Sequence, residues 1–145
     1  MKFLNVAFAY QEAASQGASP VGMVVLLYDR LLSDVNSAVA AMNARDIETR
    51  SAHVNHALLV LQQLQGSLDF AHGGPAARQL DEFYSFTRAK LLEAQIRQSK
   101  EMMLDQAKAI AKVRECWAEI EQVSQHNHGT LPASLEKAGA GAIIG

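Results

Sequence analysis

Apolar residues recur every three or four positions along most of this chain, which is the spacing of one face of an α-helix. Ser19 and Pro20 precede the first such run, and they suit the cap and the first turn of a helix. The sequence therefore predicts a long helix that begins there and ends at the break over residues 43–46. Its apolar positions are Val21, Val24, Val25, Tyr28, Leu31, Leu32, Val35, Val39 and Met42.

Three further runs predict three further helices. Asp46 can cap the second, and Gly73 and Gly74 are expected to end it, because glycine accepts the left-handed conformation of a helix terminus. Pro75 opens the third and Ser99 caps the fourth. Their apolar positions are Ile47, Val54, Leu58, Leu61, Leu64 and Leu68, then Ala77, Leu80, Tyr84, Thr87, Leu91 and Ala94, then Met103, Ile110, Val113, Trp117 and Ile120. Short connections between long helices predict an all-α fold, an antiparallel four-helix bundle.

The two ends of the chain differ from the predicted bundle domain, residues 19–125. Residues 1–18 contain Phe3, Leu4, Phe8 and Tyr10 before a small and polar run, which favours an additional short N-terminal helix or arm on a flexible tether. Residues 126–145 are rich in glycine and alanine, and we expect a flexible tail there.

Several helices carry more apolar residues than the roughly three in seven that a bundle core needs. The surplus has two compatible interpretations: it packs under the N-terminal arm or a fifth helix, or it lines a groove for a partner helix. The candidate partner contacts, with Tyr10 as part of the cover, are Tyr10, Leu26, Leu27, Leu64, Leu68, Phe83 and Phe86.

Composition narrows the function classes. The chain has 145 residues, 49% of them hydrophobic, which suits one globular domain. A net charge of −2 argues against nucleic-acid binding. The N-terminus lacks the features of a secretory signal, and no apolar run approaches the ~20 residues of a membrane span. With a single cysteine, these features predict a cytoplasmic protein without membrane insertion.

Candidate chemistry is sparse, and we predict no catalytic site, no metal and no cofactor. His56 raises the alternative of a histidine phosphotransfer module, but the residues after it lack the lysine and glycine of such domains. His53 and His56 lie three apart on one helix, so a metal-binding bundle is a second alternative. No Glu-x-x-His pattern accompanies them.

A set of ordered features resembles one known family, the FliS flagellin-export chaperones. Each feature is weak alone, and their order and spacing over about residues 8–121 make the set specific. Gln95 and Arg30 depart from residues that are common in the family. The matching features are Tyr10, Ser19-Pro20, Leu26 to Asp29, Ile47-Glu48, Leu61 to Phe70, Gly73-Gly74, Leu80, Phe83-Tyr84, Leu91 to Ala94 and Trp117.

The resemblance implies a function as well as a helical bundle fold. Members bind the C-terminal region of flagellin in the cytoplasm, prevent its premature polymerisation and keep it ready for flagellar type III export. It implies flagellin as the partner, with components of the export gate as further candidates. Tyr10 would belong to the segment that shields or shapes the flagellin site.

Overall fold

Four α-helices make up the described part of the chain. The structure, a computed structural model, describes residues 19–126. The helices are α1 (Pro20–Asn43), α2 (Ile47–Gly66), α3 (Phe70–Arg97) and α4 (Lys100–His126), and no strand occurs within this range. The all-α prediction is confirmed there. The predicted arm over residues 1–18, including Tyr10, and the tail beyond residue 126 lie outside the described residues.

Side-chain caps start the helices where the sequence predicted them for α1, α2 and α4. The Ser19 hydroxyl accepts a hydrogen bond from the Gly22 amide at 3.0 Å, and Pro20 follows it in the first turn. Asp46 accepts from the Thr49 amide at 3.1 Å, and Ser99 accepts from the Met102 amide at 3.2 Å. Each cap satisfies an amide that has no partner inside its own helix.

The boundary between α2 and α3 differs from the prediction. The sequence suggested that the second helix runs to Gly73 and Gly74, whereas α2 ends at Gly66. Asp69 caps α3 by accepting from the His72 amide at 3.1 Å, so the helix begins at Phe70. Gly74, at φ 56° and ψ −135°, then kinks α3 just before Pro75. The glycine breaks the helical geometry inside α3 and does not end α2.

The core forms where the apolar positions of the four helices meet. Helices α1 and α3 both pack against α2 and α4. Tyr28 and Tyr84 lie in the centre, and the Tyr28 hydroxyl donates to the Tyr84 hydroxyl at 2.8 Å. The predicted positions that are buried in this core include Val24, Leu31, Val35, Val54, Leu61, Ala77, Leu91, Ala94, Met103, Ile110, Trp117 and Ile120.

Polar contacts join the helices around this core. Arg114 on α4 donates through Nε to Asp29 Oδ1 on α1 at 2.5 Å. Gln65 on α2 donates through Nε2 to Asp81 Oδ1 at 3.1 Å and to the Ser85 hydroxyl at 3.0 Å, which fixes α3 against α2. None of the described helices is long and apolar enough to cross a membrane.

Candidate partner-binding surface

Helix α3 carries apolar residues on two sides. One side faces the core and includes Ala77, Tyr84, Thr87, Leu91 and Ala94, all buried. A second row, spaced by four, three and four residues, runs along its outside. This outer seam consists of Ser85, Ala89, Leu92 and Ile96, all exposed; Ser85 is its polar end, where the hydroxyl accepts a hydrogen bond from Gln65 on α2. Such spacing places four side chains in one line, which is how a helix presents itself to a partner helix.

The two large residues of the outer seam lie well out in solvent. Ile96 is 81% exposed and Leu92 is 40% exposed. Ser85 and Ala89, at the other end, are small and let a partner backbone approach closely. An exposed, linear apolar strip on a helix is typical of a protein-protein contact, whereas isolated exposed apolar residues are ordinary.

Phe86 flanks the outer seam and is 55% exposed. The Lys90 ammonium lies 5.6 Å from the centroid of its ring, a cation-π contact worth about 0.5–1 kcal/mol at an exposed site. Lys90 also donates to Glu93 Oε2 at 3.2 Å. The lysine therefore holds the Phe86 ring in place without covering it from solvent.

The seven predicted contacts fall into different environments. Phe86 is exposed, whereas Leu26, Leu68 and Phe83 are partly buried, the last with its ring centroid 5.8 Å from that of Tyr84. Leu27 and Leu64 are buried in the core, so in this conformation neither offers a surface to a partner. Their positions on α1 and α2 turn them inward, which residue type alone does not indicate. Tyr10 lies outside the described residues.

Five exposed large apolar residues in the described range were absent from the predicted contacts: Ile47, Phe70, Leu92, Ile96 and Leu104. Leu92 and Ile96 belong to the outer seam, and Ile47, at the start of α2, is 62% exposed although its spacing had placed it on the core face of the second helix. The signal for Leu92 and Ile96 was available, since they continue the spacing of Ser85 and Ala89. Ile47 stands in the first turn of its helix, where the core has ended.

His53 and His56 both form a hydrogen bond with one buried carboxylate, that of Asp34. Asp34 on α1 is buried and accepts from Nδ1 of His53 at 3.1 Å and from Nδ1 of His56, both on α2. The His56 side chain is only 11% exposed. A phosphotransfer histidine must be reachable by the phosphorylated partner, so this packing argues against the alternative signalling function. Asp34 was not part of the sequence prediction.

No group of three potential metal ligands occurs among the residues whose side chains the structure describes. His53 and His56 direct their Nδ1 atoms at the same aspartate, which makes them a polar connection between α1 and α2. This connection satisfies polar groups that would be costly to bury alone.

The family model and the individual relatives that match this chain are all FliS proteins. A family model described as flagellar protein FliS matches residues 4–124. The flagellar secretion chaperone FliS of Vibrio cholerae is 25% identical over 118 residues, which cover 81% of this chain and 85% of that protein. The protein of the same name from Campylobacter jejuni is 25% identical over 128 residues, covering 88% of this chain and 96% of that protein.

A third relative, the flagellar secretion chaperone FliS of Salmonella typhimurium, is 24% identical over 110 residues, covering 75% of this chain and 82% of that protein. The family match includes nearly the whole of the four helices. It therefore takes in the outer seam on α3 and the capped connections between helices. On the extent of that match, this chain belongs to the FliS family.

Proposed function

We propose that this protein is a cytosolic export chaperone that binds the disordered C-terminal region of flagellin. Binding would prevent premature polymerisation and support flagellar type III secretion, with export-gate components as further partners. The names of three relatives support the chaperone function. The binding mode rests on the outer seam of α3. The opposite side of this helix is buried in the core, whereas Leu92 and Ile96 of the seam are exposed to solvent.

The proposal includes the arrangement of the molecule as an antiparallel four-helix bundle with an N-terminal arm. Connections of two or three residues separate successive helices, and each helix packs against two others. Such short connections favour antiparallel neighbours. The arm, residues 1–18 with Tyr10, would cover part of the flagellin site, as the family resemblance implies.

Docking on the outer seam follows from the physics of amphipathic segments. A disordered segment with an apolar face buries that face against Leu92, Ile96 and the Phe86 ring, and it becomes helical as it binds. Ordering the segment costs about 2–5 kcal/mol or more of the contact energy. The net affinity is therefore moderate, which suits a chaperone that must release its cargo at the export gate.

The affinity of a complex held mainly by apolar contacts depends only weakly on salt concentration. Interactions between exposed charges weaken as ionic strength rises, whereas apolar burial is not screened. We expect the affinity for flagellin to change little with salt. A steep loss of affinity would indicate docking through charges and would contradict the outer seam as the main contact.

Substitution of the two large seam residues tests the proposal. The double variant Leu92→Gln/Ile96→Gln should weaken flagellin binding by about tenfold or more, since burying each side chain contributes about 1.5–3 kcal/mol. Leu104→Gln on α4 is the matched control, because Leu104 is 39% exposed and lies outside the seam. Affinity is measured by calorimetric titration with monomeric flagellin, and folding by thermal melting.

The control separates binding from stability. Leu92 and Leu104 are equally exposed and Ile96 is 81% exposed, so the double seam variant and Leu104→Gln should lower the melting temperature by similar amounts. Only the seam variant should lose affinity. Equal affinity of the wild type and the seam variant, with the fold intact, would rule out this docking site.

A further inference from the structure

A pocket lies at the end of the molecule where the α1–α2 and α3–α4 connections meet. Lys100, at the start of α4, donates to Asn43 Oδ1 at the end of α1 over 3.1 Å, which brings the two connections together. The pocket has a volume of about 330 Å³. Its lining combines polar and apolar groups from three helices and their ends: Ala41, Met42, Arg45, Ile47, Arg50 and Gln98.

Two lining residues adopt a backbone conformation that normally selects glycine. Arg45 has φ 56° and Gln98 has φ 52°, each just after the last turn of its helix. The following amides close both turns, Asp46 to the Ala41 carbonyl at 2.9 Å and Ser99 to the Ala94 carbonyl at 2.9 Å. Helices commonly end this way with glycine. Arg45 and Gln98 thus carry long polar side chains at positions where glycine would be less strained.

The pocket holds two guanidinium groups that make no ion pair within the described range. Neither Arg45 nor Arg50 forms an ion pair with any residue in the range 19–123, and Arg50 Nε is buried there without a hydrogen-bond acceptor. Asp46 also lines the pocket, but its carboxylate accepts from the amide and the hydroxyl of Thr49. These bonds hold the pKa of Asp46 below its ordinary value, so it stays charged.

The net charge of the pocket lining favours a ligand with a single negative charge. Two guanidinium groups and one carboxylate leave the lining with a single net positive charge. This suits one carboxylate better than a doubly charged phosphate. Arginine forms paired hydrogen bonds with carboxylates, and neither Arg45 nor Arg50 has a carboxylate partner within the described range.

The apolar part of the pocket continues the outer seam. Ile47 lines the pocket, and Ile96 stands two residues before Gln98 in the last turn of α3. These are the most exposed large apolar residues in the described part of the chain. The seam therefore ends within one helical turn of Gln98, a residue of the pocket lining, so a segment docked along the seam would run on toward the pocket.

We infer that Arg45 and Arg50 bind the carboxylate of an acidic residue in the same flagellin segment that docks on the outer seam. This inference rests on the proposed function and adds the register of the docked segment. Apolar residues of the segment lie on Leu92 and Ile96, and an acidic residue beyond them enters the pocket. The contact between the arginines and this carboxylate fixes the position of the docked segment along the seam, because apolar contacts alone specify that position weakly.

Two arginine variants test this inference in the full-length protein. Arg45→Gly removes the guanidinium and suits the left-handed backbone, so the melting temperature should hold or rise. Arg50→Gln removes the guanidinium and its charge and leaves a shorter, polar side chain. Each should weaken binding of the C-terminal segment of flagellin by about tenfold. Arg30→Gln, an exposed position on α1 away from the pocket, should leave affinity unchanged.

The outcomes are distinct. Loss of affinity in both pocket variants, with Arg30→Gln unchanged, supports the inference. Wild-type affinity in folded Arg45→Gly and Arg50→Gln overturns the inference and leaves the docking of flagellin on the seam intact. If the wild-type protein does not bind the flagellin segment at all, both the proposed function and the inference fail.

Discussion

Asp34 shows how one side chain determines the roles of its neighbours. It is buried between α1 and α2, where it accepts hydrogen bonds from His53 and His56. The two histidines alone suggested metal binding or phosphotransfer. Sequence spacing could show that they share a helix face, but it could not show that the facing helix offers a carboxylate.

Replacement of Asp34 by alanine should destabilise the protein by about 2–3 kcal/mol, because it leaves the largely buried His56 ring without its acceptor. Asp29→Ala, on the same helix, is the matched control. Its ion pair with Arg114 is half-exposed and should contribute less than about 1 kcal/mol. Urea unfolding measures both, and equal effects of the two substitutions would contradict a structural role for the buried carboxylate.

At the scale of elements, the sequence predicted the starts of α1, α2 and α4 but misplaced both the end of α2 and the start of α3. Ser19, Asp46 and Ser99 cap helices as expected, since a capping side chain acts within three residues of itself. Gly74 misled the prediction, because the left-handed conformation it supplies can end a helix or kink one. Asp69, which caps α3, and the tertiary packing of α3 decide between these uses, and that packing is not local information.

The Tyr28–Tyr84 pair joins α1 to α3 through the core and makes stability sensitive to alkaline pH. Burial raises the pKa of Tyr84 to about 12, and burial, followed by the neighbouring Tyr84, raises that of Tyr28 well above its ordinary value. Above pH 10 the unfolded chain loses these protons while the folded protein keeps them. The free energy of unfolding should therefore fall by about 1.4 kcal/mol per pH unit for each tyrosine.

Urea unfolding at pH 9, 10 and 11 measures this fall. The double variant Tyr28→Phe/Tyr84→Phe lacks both of these buried phenols, so its stability should depend less on pH over the same range. Identical pH profiles for the variant and the wild type would show that these two hydroxyls do not control alkaline unfolding.

At the scale of the whole molecule, the surplus of apolar residues predicted a partner surface, and the residues proposed for it differ widely in their exposure. Phe86 is exposed as that interpretation requires, whereas Leu27 and Leu64 are core residues. Leu92 and Ile96, the large residues of the outer seam, lie off the predicted core positions of the third helix, so helical spacing alone could have identified them. The family resemblance came from the order of motifs along the chain, which does not depend on side-chain orientation.

The most direct test of the account compares two forms of monomeric flagellin, one intact and one without its C-terminal region. Calorimetric titration of the wild-type chaperone should detect binding to the intact protein and none to the truncated one. Burial of the apolar seam also predicts a negative heat-capacity change on binding. Equal affinity for the two flagellins would contradict the claim that the C-terminal region is the cargo segment.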